Sequence, residues 1–162
     1  MGIGRKLQNN PRLLEKAYQL THRLVEKADP LIAKIGYERF DRWTRRPEEW
    51  TKKAIFDCKM CGQCVLSSTG MACPMNCPKQ LRNGPCGGVR PGGYCEVEPD
   101  MACVWVEAFK GSQKMSSGVS IQLVQFPVDR RLEGHSSWLR AARLKAEELN
   151  AEKVNSNLER SL

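Results

Sequence analysis

Hydrophobic positions follow a helical rhythm at both ends of the chain and lose it in the middle. From residue 10 to 28, Leu13, Leu14, Ala17, Tyr18, Leu24, Val25 and Ala28 recur at intervals that place them along one side of an α-helix. Asn10 is a suitable N-cap, and Pro11 fits the first helical position, where an N–H has no partner anyway. Asp29-Pro30 predicts a stop and the cap of a second helix with Leu31, Ile32, Ile35 and Phe40 inward. Pro47 predicts the start of a third, short helix carrying Trp50, Ala54 and Ile55. The first third is thus expected to be an α-helical hairpin or three-helix unit.

Residues 57–99 break the rhythm. They hold Gly62, Gly70, Gly84, Gly87, Gly88, Gly92 and Gly93 with Pro74, Pro78, Pro85, Pro91 and Pro99, a density that favours turns over regular elements. Asp100 then predicts the cap of a helix over 101–110, with Ala102, Trp105, Val106 and Phe109 as its apolar face, Cys103 in its first turn and Gly111 as its stop. Residues 112–120 read as a Ser/Gly linker and Ile121 to Phe126 as a short extended segment. Ser136 or Ser137 can cap a final helix from Trp138 to about Glu159, with Trp138, Leu139, Ala142, Leu144 and Leu149 on its first half and a polar end expected to fray. The predicted fold class is mainly α, in three regions: an N-terminal helical docking region over 1–55, a loop-rich, cysteine-rich metal-cluster domain over 56–111, and a linker with a C-terminal helical arm over 112–162.

The candidate chemistry lies in that middle region. Cys58, Cys61 and Cys64 are each separated by two residues, and Cys73, Cys77, Cys86, Cys95 and Cys103 follow; no cysteine lies outside 58–103. A C-x2-C-x2-C run can wrap three corners of a cubane iron–sulfur cluster from one loop, with a distant cysteine closing the fourth. Cys73-Pro74 and Cys77-Pro78 both supply the Cys-Pro pair that ends the bacterial ferredoxin run, but Cys73 follows Cys64 at a longer spacing than a ferredoxin repeat has. Structural zinc usually takes separated cysteine pairs, which fits this overlapping triple less naturally. One cluster with one zinc, zinc alone, and buried cysteines with no ligand role stand as the alternatives to two cubanes. Eight thiols make two sets of four; Cys58, Cys61 and Cys64 are expected to share one centre, and the spacing does not say which other cysteine completes it.

Composition sharpens this picture. The cysteine segment is poor in Leu, Ile, Val and Phe, so it needs a staple, either disulfide or metal. Met1 to Gln8 shows no apolar leader and no stretch reads as a membrane span, so the expected location is the cytoplasm, where thiols stay reduced. The net charge of +8 is uneven: residues 1–53 hold 13 Lys/Arg against 7 Asp/Glu, while residues 54–110 hold 5 against 5. A basic surplus away from the cysteines, without a basic aromatic recognition helix, does not point to nucleic acid. The amphipathic N-terminal helix lacks Trp and Phe before residue 40, which favours docking to protein over lying on a membrane.

The stretch CKMCGQCVLSSTGMACPMNCPKQLRNGPCGGVRPGGYCEVEPDMACVW resembles the methylenetetrahydrofolate reductase C-terminal domain family, and FPVDRRLEGHSSWLR looks like that family's closing segment. Together they cover about residues 55–140; residues before 50 and after 145 look less typical and read as docking arms. Cys58, Cys61, Cys64, Cys73, Cys77, Cys86, Cys95 and Cys103 match the family's cysteines position by position. The resemblance implies a module beside a flavin-binding TIM-barrel reductase that interconverts methylene- and methyl-tetrahydrofolate. As a separate subunit it looks like the small partner of the two-subunit reductases of acetogenic bacteria.

The expected function is therefore a non-catalytic electron-transfer subunit holding [4Fe-4S] clusters, two in number, with zinc possible in place of one and flavin on the partner only. A ferredoxin-like or other redox protein would be the donor. The alternative is a structural zinc subunit that only stabilises the complex. The segment from Asn83 to Gly88 can bring amides against cluster sulfur, or be an ordinary turn. Lys79, Arg82 and Arg90 flank the loops as thiolate counter-charges or solvated surface cations. Trp105 and Trp138 read as core or interface anchors. His22 and His135 read as surface or core residues and not as ligands. No nucleophile with a base, paired carboxylates or phosphate loop is present in the sequence.

Overall fold

The computed structural model describes residues 10–160, with side chains through 152; residues 1–9, which include the stretch from Met1 to Gln8, and the last two residues lie outside the described part. Four α-helices make up most of it: α1 (Pro11–Ile35), α2 (Tyr37–Phe56), α3 (Val104–Ser112) and α4 (Ser137–Arg160). Between α2 and α3 the chain forms only short 3-10 turns and isolated bridges, and no strand occurs among the described residues. The protein is mainly α.

The expected breaks at Pro30 and Pro47 are not there: both prolines sit inside continuous helices. Each lies on the solvent side, so the carbonyl that loses its partner faces water and the helix continues. The one break falls at Gly36, whose φ of 95° is open to glycine and strained for other residues. The N-terminal third is accordingly two helices, and the hairpin reading holds over the three-helix one. Leu14, Tyr18 and Ile32 are buried, whereas Leu13, Leu24, Leu31 and Trp50 are exposed. The buried face of α2 is largely polar, with Asp41, Glu48 and Lys52 beside Phe56.

The helix predicted from Asp100 begins later. Cys103 is its N-cap, and it runs through Gly111 to Ser112. Gly111 is a contact and not a stop: a Cβ there would stand 2.2 Å from the Gly70 carbonyl oxygen. Ile121 to Phe126 is not extended as a strand; a 3-10 turn covers Gly118–Gln122, and Leu123, Val124 and Phe126 stand exposed. The C-terminal helix starts as predicted, with the Ser136 hydroxyl accepting from the Leu139 amide at 3.1 Å. It packs along α1, where Lys145 pairs with Glu26 at 2.7 Å.

One core runs through all three regions. Leu14 and Tyr18 of α1 and Phe56 of α2 meet Cys61, Leu66, Met71, Cys73, Met75 and Met115, with Val128 and Trp138 packed on top. The cysteine segment does build core, through methionine: Met60, Met71 and Met75 are 7%, 0% and 8% exposed. Methionine is flexible enough to fill the irregular gaps that loops leave.

Candidate metal centre

All eight cysteines are free thiols, and they divide four and four between two cavities. The lining of the inner cavity includes Cys58, Cys61, Cys64 and Cys73. The lining of the outer cavity includes Cys77, Cys86, Cys95 and Cys103. Cys73 is thus the residue that joins the triple. Four sulfurs per site is the donor number of both a tetrahedral zinc and a cubane cluster. Among the described residues no three His, Cys, Asp or Glu side chains are gathered around a point where one ion could sit.

The inner set is built by a loop that folds under the end of α2. Asp57 and Met60 take left-handed backbone conformations on either side of Cys58. The Met60 amide donates to Cys58 Sγ at 3.3 Å. Amides of Lys59 and Met75 act on Cys73, and that of Leu66 on Cys64. The amides that reach sulfur therefore come from these positions. The segment at 83–88 is instead held to the closing segment, where Asn83 Nδ2 donates to the Gln125 carbonyl at 2.9 Å. Contact with Cys73 and burial push the Cys58 thiol far up, and the same contact pulls Cys73 down. Burial also raises Cys64 and the Tyr18 hydroxyl beside it.

Residues 126–138 roof this cavity. Gly134 donates to the Met60 carbonyl at 2.8 Å, and Asp129 donates to Gln63 Oε1 at 3.1 Å. Gly62 allows the contact: with φ at 71°, any Cβ would stand 2.1 Å from the Leu132 carbonyl oxygen. The roof is locked to α2 by buried polar groups that hydrophobic periodicity could not reveal. Glu48 binds Lys52 and the Ser136 hydroxyl, and Lys52 donates to Ser137 at 2.6 Å while standing 4.0 Å above the Trp138 ring. Asp41 accepts from the Ser136 amide at 2.8 Å and lies 3.0 Å from His135 Nδ1. His135 lines the inner cavity, while His22 stacks on Tyr18 with burial holding it below its ordinary value.

The outer set is more open. Cys95 and Cys103 are held by backbone pairing across 90–103, including Cys95 N to the Met101 carbonyl and Cys103 N to the Gly93 carbonyl, both 2.8 Å. Trp105 lines this cavity and donates to the Leu81 carbonyl at 3.1 Å. Cys86 is exposed, and its thiol donates to Glu96 at 3.3 Å; Lys79, paired with the same carboxylate, holds Glu96 below its ordinary value. Arg90 is exposed, but Arg82 is only 8% exposed and reaches the inner cavity.

One 3-10 turn, Pro74–Asn76, separates the last inner cysteine from the first outer one. Cys73-x3-Cys77-Pro78 repeats the ferredoxin arrangement in which a cysteine three residues further on, followed by proline, serves the other site. Fold and site define a helical, cysteine-rich protein with two four-thiol cavities and no strand among its described residues. The chain belongs to the family described as methylene-tetrahydrofolate reductase C terminal, whose model matches residues 37–131. No curated protein and no solved structure matches it. The match starts at Tyr37, the first residue of α2, and so includes the buried Asp41, Glu48 and Lys52 that hold the roof. The family name relates the chain to methylenetetrahydrofolate reductase and one-carbon metabolism. Among the described residues no helix is long and apolar enough to cross a membrane.

Proposed function

We propose that this chain is the iron–sulfur accessory subunit of a flavin-dependent methylenetetrahydrofolate reductase, with no active site of its own. The observation that carries the reading is the division of all eight thiols into two cavities of four. Bound there, cubane clusters would supply one-electron transfer to a flavin on the partner, a TIM-barrel subunit. Cys58, Cys61, Cys64 and Cys73 would hold the inner cluster, and Cys77, Cys86, Cys95 and Cys103 the outer. The donor set fits a cubane, which takes one thiolate at each of four corners, and the overlapping Cys58, Cys61, Cys64 triple suits it better than the separated pairs usual for zinc. Amides aimed at Cys58, Cys64 and Cys73 are the contacts that stabilise thiolate and tune potential.

The chain's own residues give the two sets different tasks. Cys86 brings the outer set to the surface, where a ferredoxin-like donor can approach. The Pro74–Asn76 turn keeps Cys73 and Cys77 within about 15 Å, four Cα steps at full stretch. The inner set sits in the hydrophobic core, and that position supports the second reading, in which zinc holds the fold and carries no electrons.

Metal analysis separates the two. Anaerobically purified full chain is expected to carry roughly eight iron and eight acid-labile sulfide, and Cys61→Ser or Cys95→Ser to keep about half. In complex with the flavoprotein, dithionite-reduced centres are expected to be reoxidised by the flavin. Zinc without visible absorbance, or reduced centres that the flavin leaves untouched, would replace this reading with the structural one.

A further inference from the structure

Among the described residues, Arg82 is the one buried cation near the thiols that has no anion. Its side chain is 8% exposed and lines the inner cavity. Nη1 lies 3.9 Å from Cys61 Sγ and 3.9 Å from Met75 Sδ, and Nη2 donates to the Gln63 carbonyl at 3.1 Å. Nε is buried without a hydrogen-bond partner, and no carboxylate among the described residues is within ion-pairing distance. Lys52, the other cation buried on this side, is neutralised by Glu48.

Burying a guanidinium without an anion is costly, and such groups persist where the missing charge is supplied by something else. Arginine stays protonated in any such setting, so it cannot escape the cost by losing a proton. The nearest polarizable atoms are the sulfur of a proposed ligand and a thioether. A set of four thiolates around an iron–sulfur core carries net negative charge, and that charge increases by one on reduction. From this geometry we infer that Arg82 is the counter-charge of the inner centre, a positioning residue that raises the reduction potential of the inner cluster relative to what its buried, apolar site would give.

The inference rests on the iron–sulfur reading, and the two fail differently. If the wild-type chain carries no redox-active iron, that reading falls before Arg82 is reached. With iron present, the test is a potentiometric titration of the full chain, followed by EPR so that the two centres are resolved, on wild type, Arg82→Met and Arg82→Lys. Arg82→Met is expected to shift one of the two midpoint potentials to more negative values and leave the other in place, with Arg82→Lys close to wild type. Loss of about half the iron in Arg82→Met with full loading in Arg82→Lys supports the same role, since charge is then what retains the centre. Unchanged potentials in a fully loaded Arg82→Met overturn it. So does an Arg82→Lys variant as defective as Arg82→Met, because shape and not charge would then be what matters.

Discussion

Glu15 is 2% exposed in the first turns of α1, and nothing in its helical surroundings explains a buried carboxylate. Its partners come from the opposite end of the sequence: the amides of Ser116 and Ser117 donate at 2.9 and 3.0 Å, and the Ser117 hydroxyl at 2.7 Å. Burial alone would raise its pKa, but these hydrogen bonds outweigh it and hold the group below the ordinary glutamate value. The supposed linker at 112–120 is therefore fastened to the N-terminal helix. Glu15→Gln is expected to lose about 1–3 kcal/mol in denaturant unfolding, because one converging donor then meets an amide N–H. The folded pKa is depressed, so the carboxylate's contribution is complete above the unfolded-state value. It is lost as pH falls through the lower folded value. The wild type is thus expected to lose stability on acidification across that window, and Glu15→Gln to show a flatter profile there. A profile with the same slope in both would sink this account of Glu15.

At the scale of elements, the helices are held less by unbroken propensity than by what packs on them. Pro30 interrupts the hydrogen bonding of α1 five residues before it ends, yet the helix persists because α4 and the core lie against its other side. Replacing it with alanine restores one backbone donor where the ring now stands. Pro30→Ala is expected to stabilise the chain by about 2 kcal/mol, the propensity gain less the entropy that alanine returns to the unfolded chain. Circular dichroism during thermal melting reads this directly, and a lowered melting temperature would mean that the proline ring is itself required for packing. The crossing of α3 over the loop at Gly70 is governed differently. There two glycines face each other, with a Cβ at Gly70 standing 2.0 Å from the Ala108 carbonyl oxygen, so close backbone approach sets the position of the helix that Cys103 caps.

At the scale of the whole molecule, the mainly helical class, the start of α4, the loop-rich middle and the grouping of Cys58, Cys61 and Cys64 are legible in the sequence. Periodicity, capping serines and cysteine spacing are local signals, and they survive folding. The two long helices were mis-segmented because a proline on a helix's solvent face carries no sequence mark that distinguishes it from a breaker. The place of Cys73 in the inner set was hidden because it depends on how 58–75 folds back on itself. Glu15 and the Glu48–Lys52–Ser137 lock are not legible in the sequence, because charged residues read as surface until partners distant in sequence are seen; Arg82 is legible only as one of three cations that could offset thiolate charge or lie solvated. Cys61 and Cys73 lie in the same core as Leu14, Tyr18 and Phe56, so if the proposed centre is bound, its removal is expected to cost global order and not merely loop order. Near-UV circular dichroism and tryptophan emission after anaerobic chelation check this. Retention of a cooperative unfolding transition in the stripped protein would show that methionine and helix packing suffice.

The roof over the inner cavity is made by residues 126–138, which follow in sequence all four of the thiols they cover. During synthesis the thiols at 58–73 leave the ribosome long before the segment that will cover them. If the proposed centre forms here, the nascent chain leaves these four sulfurs open to it through an interval set by translation speed. Once Ser136 and Ser137 dock on α2 the opening narrows. On the proposed iron–sulfur reading, maturation would then be a matter of timing: a centre inserted late must reopen the finished fold, and one inserted early is sealed by the segment at 126–138.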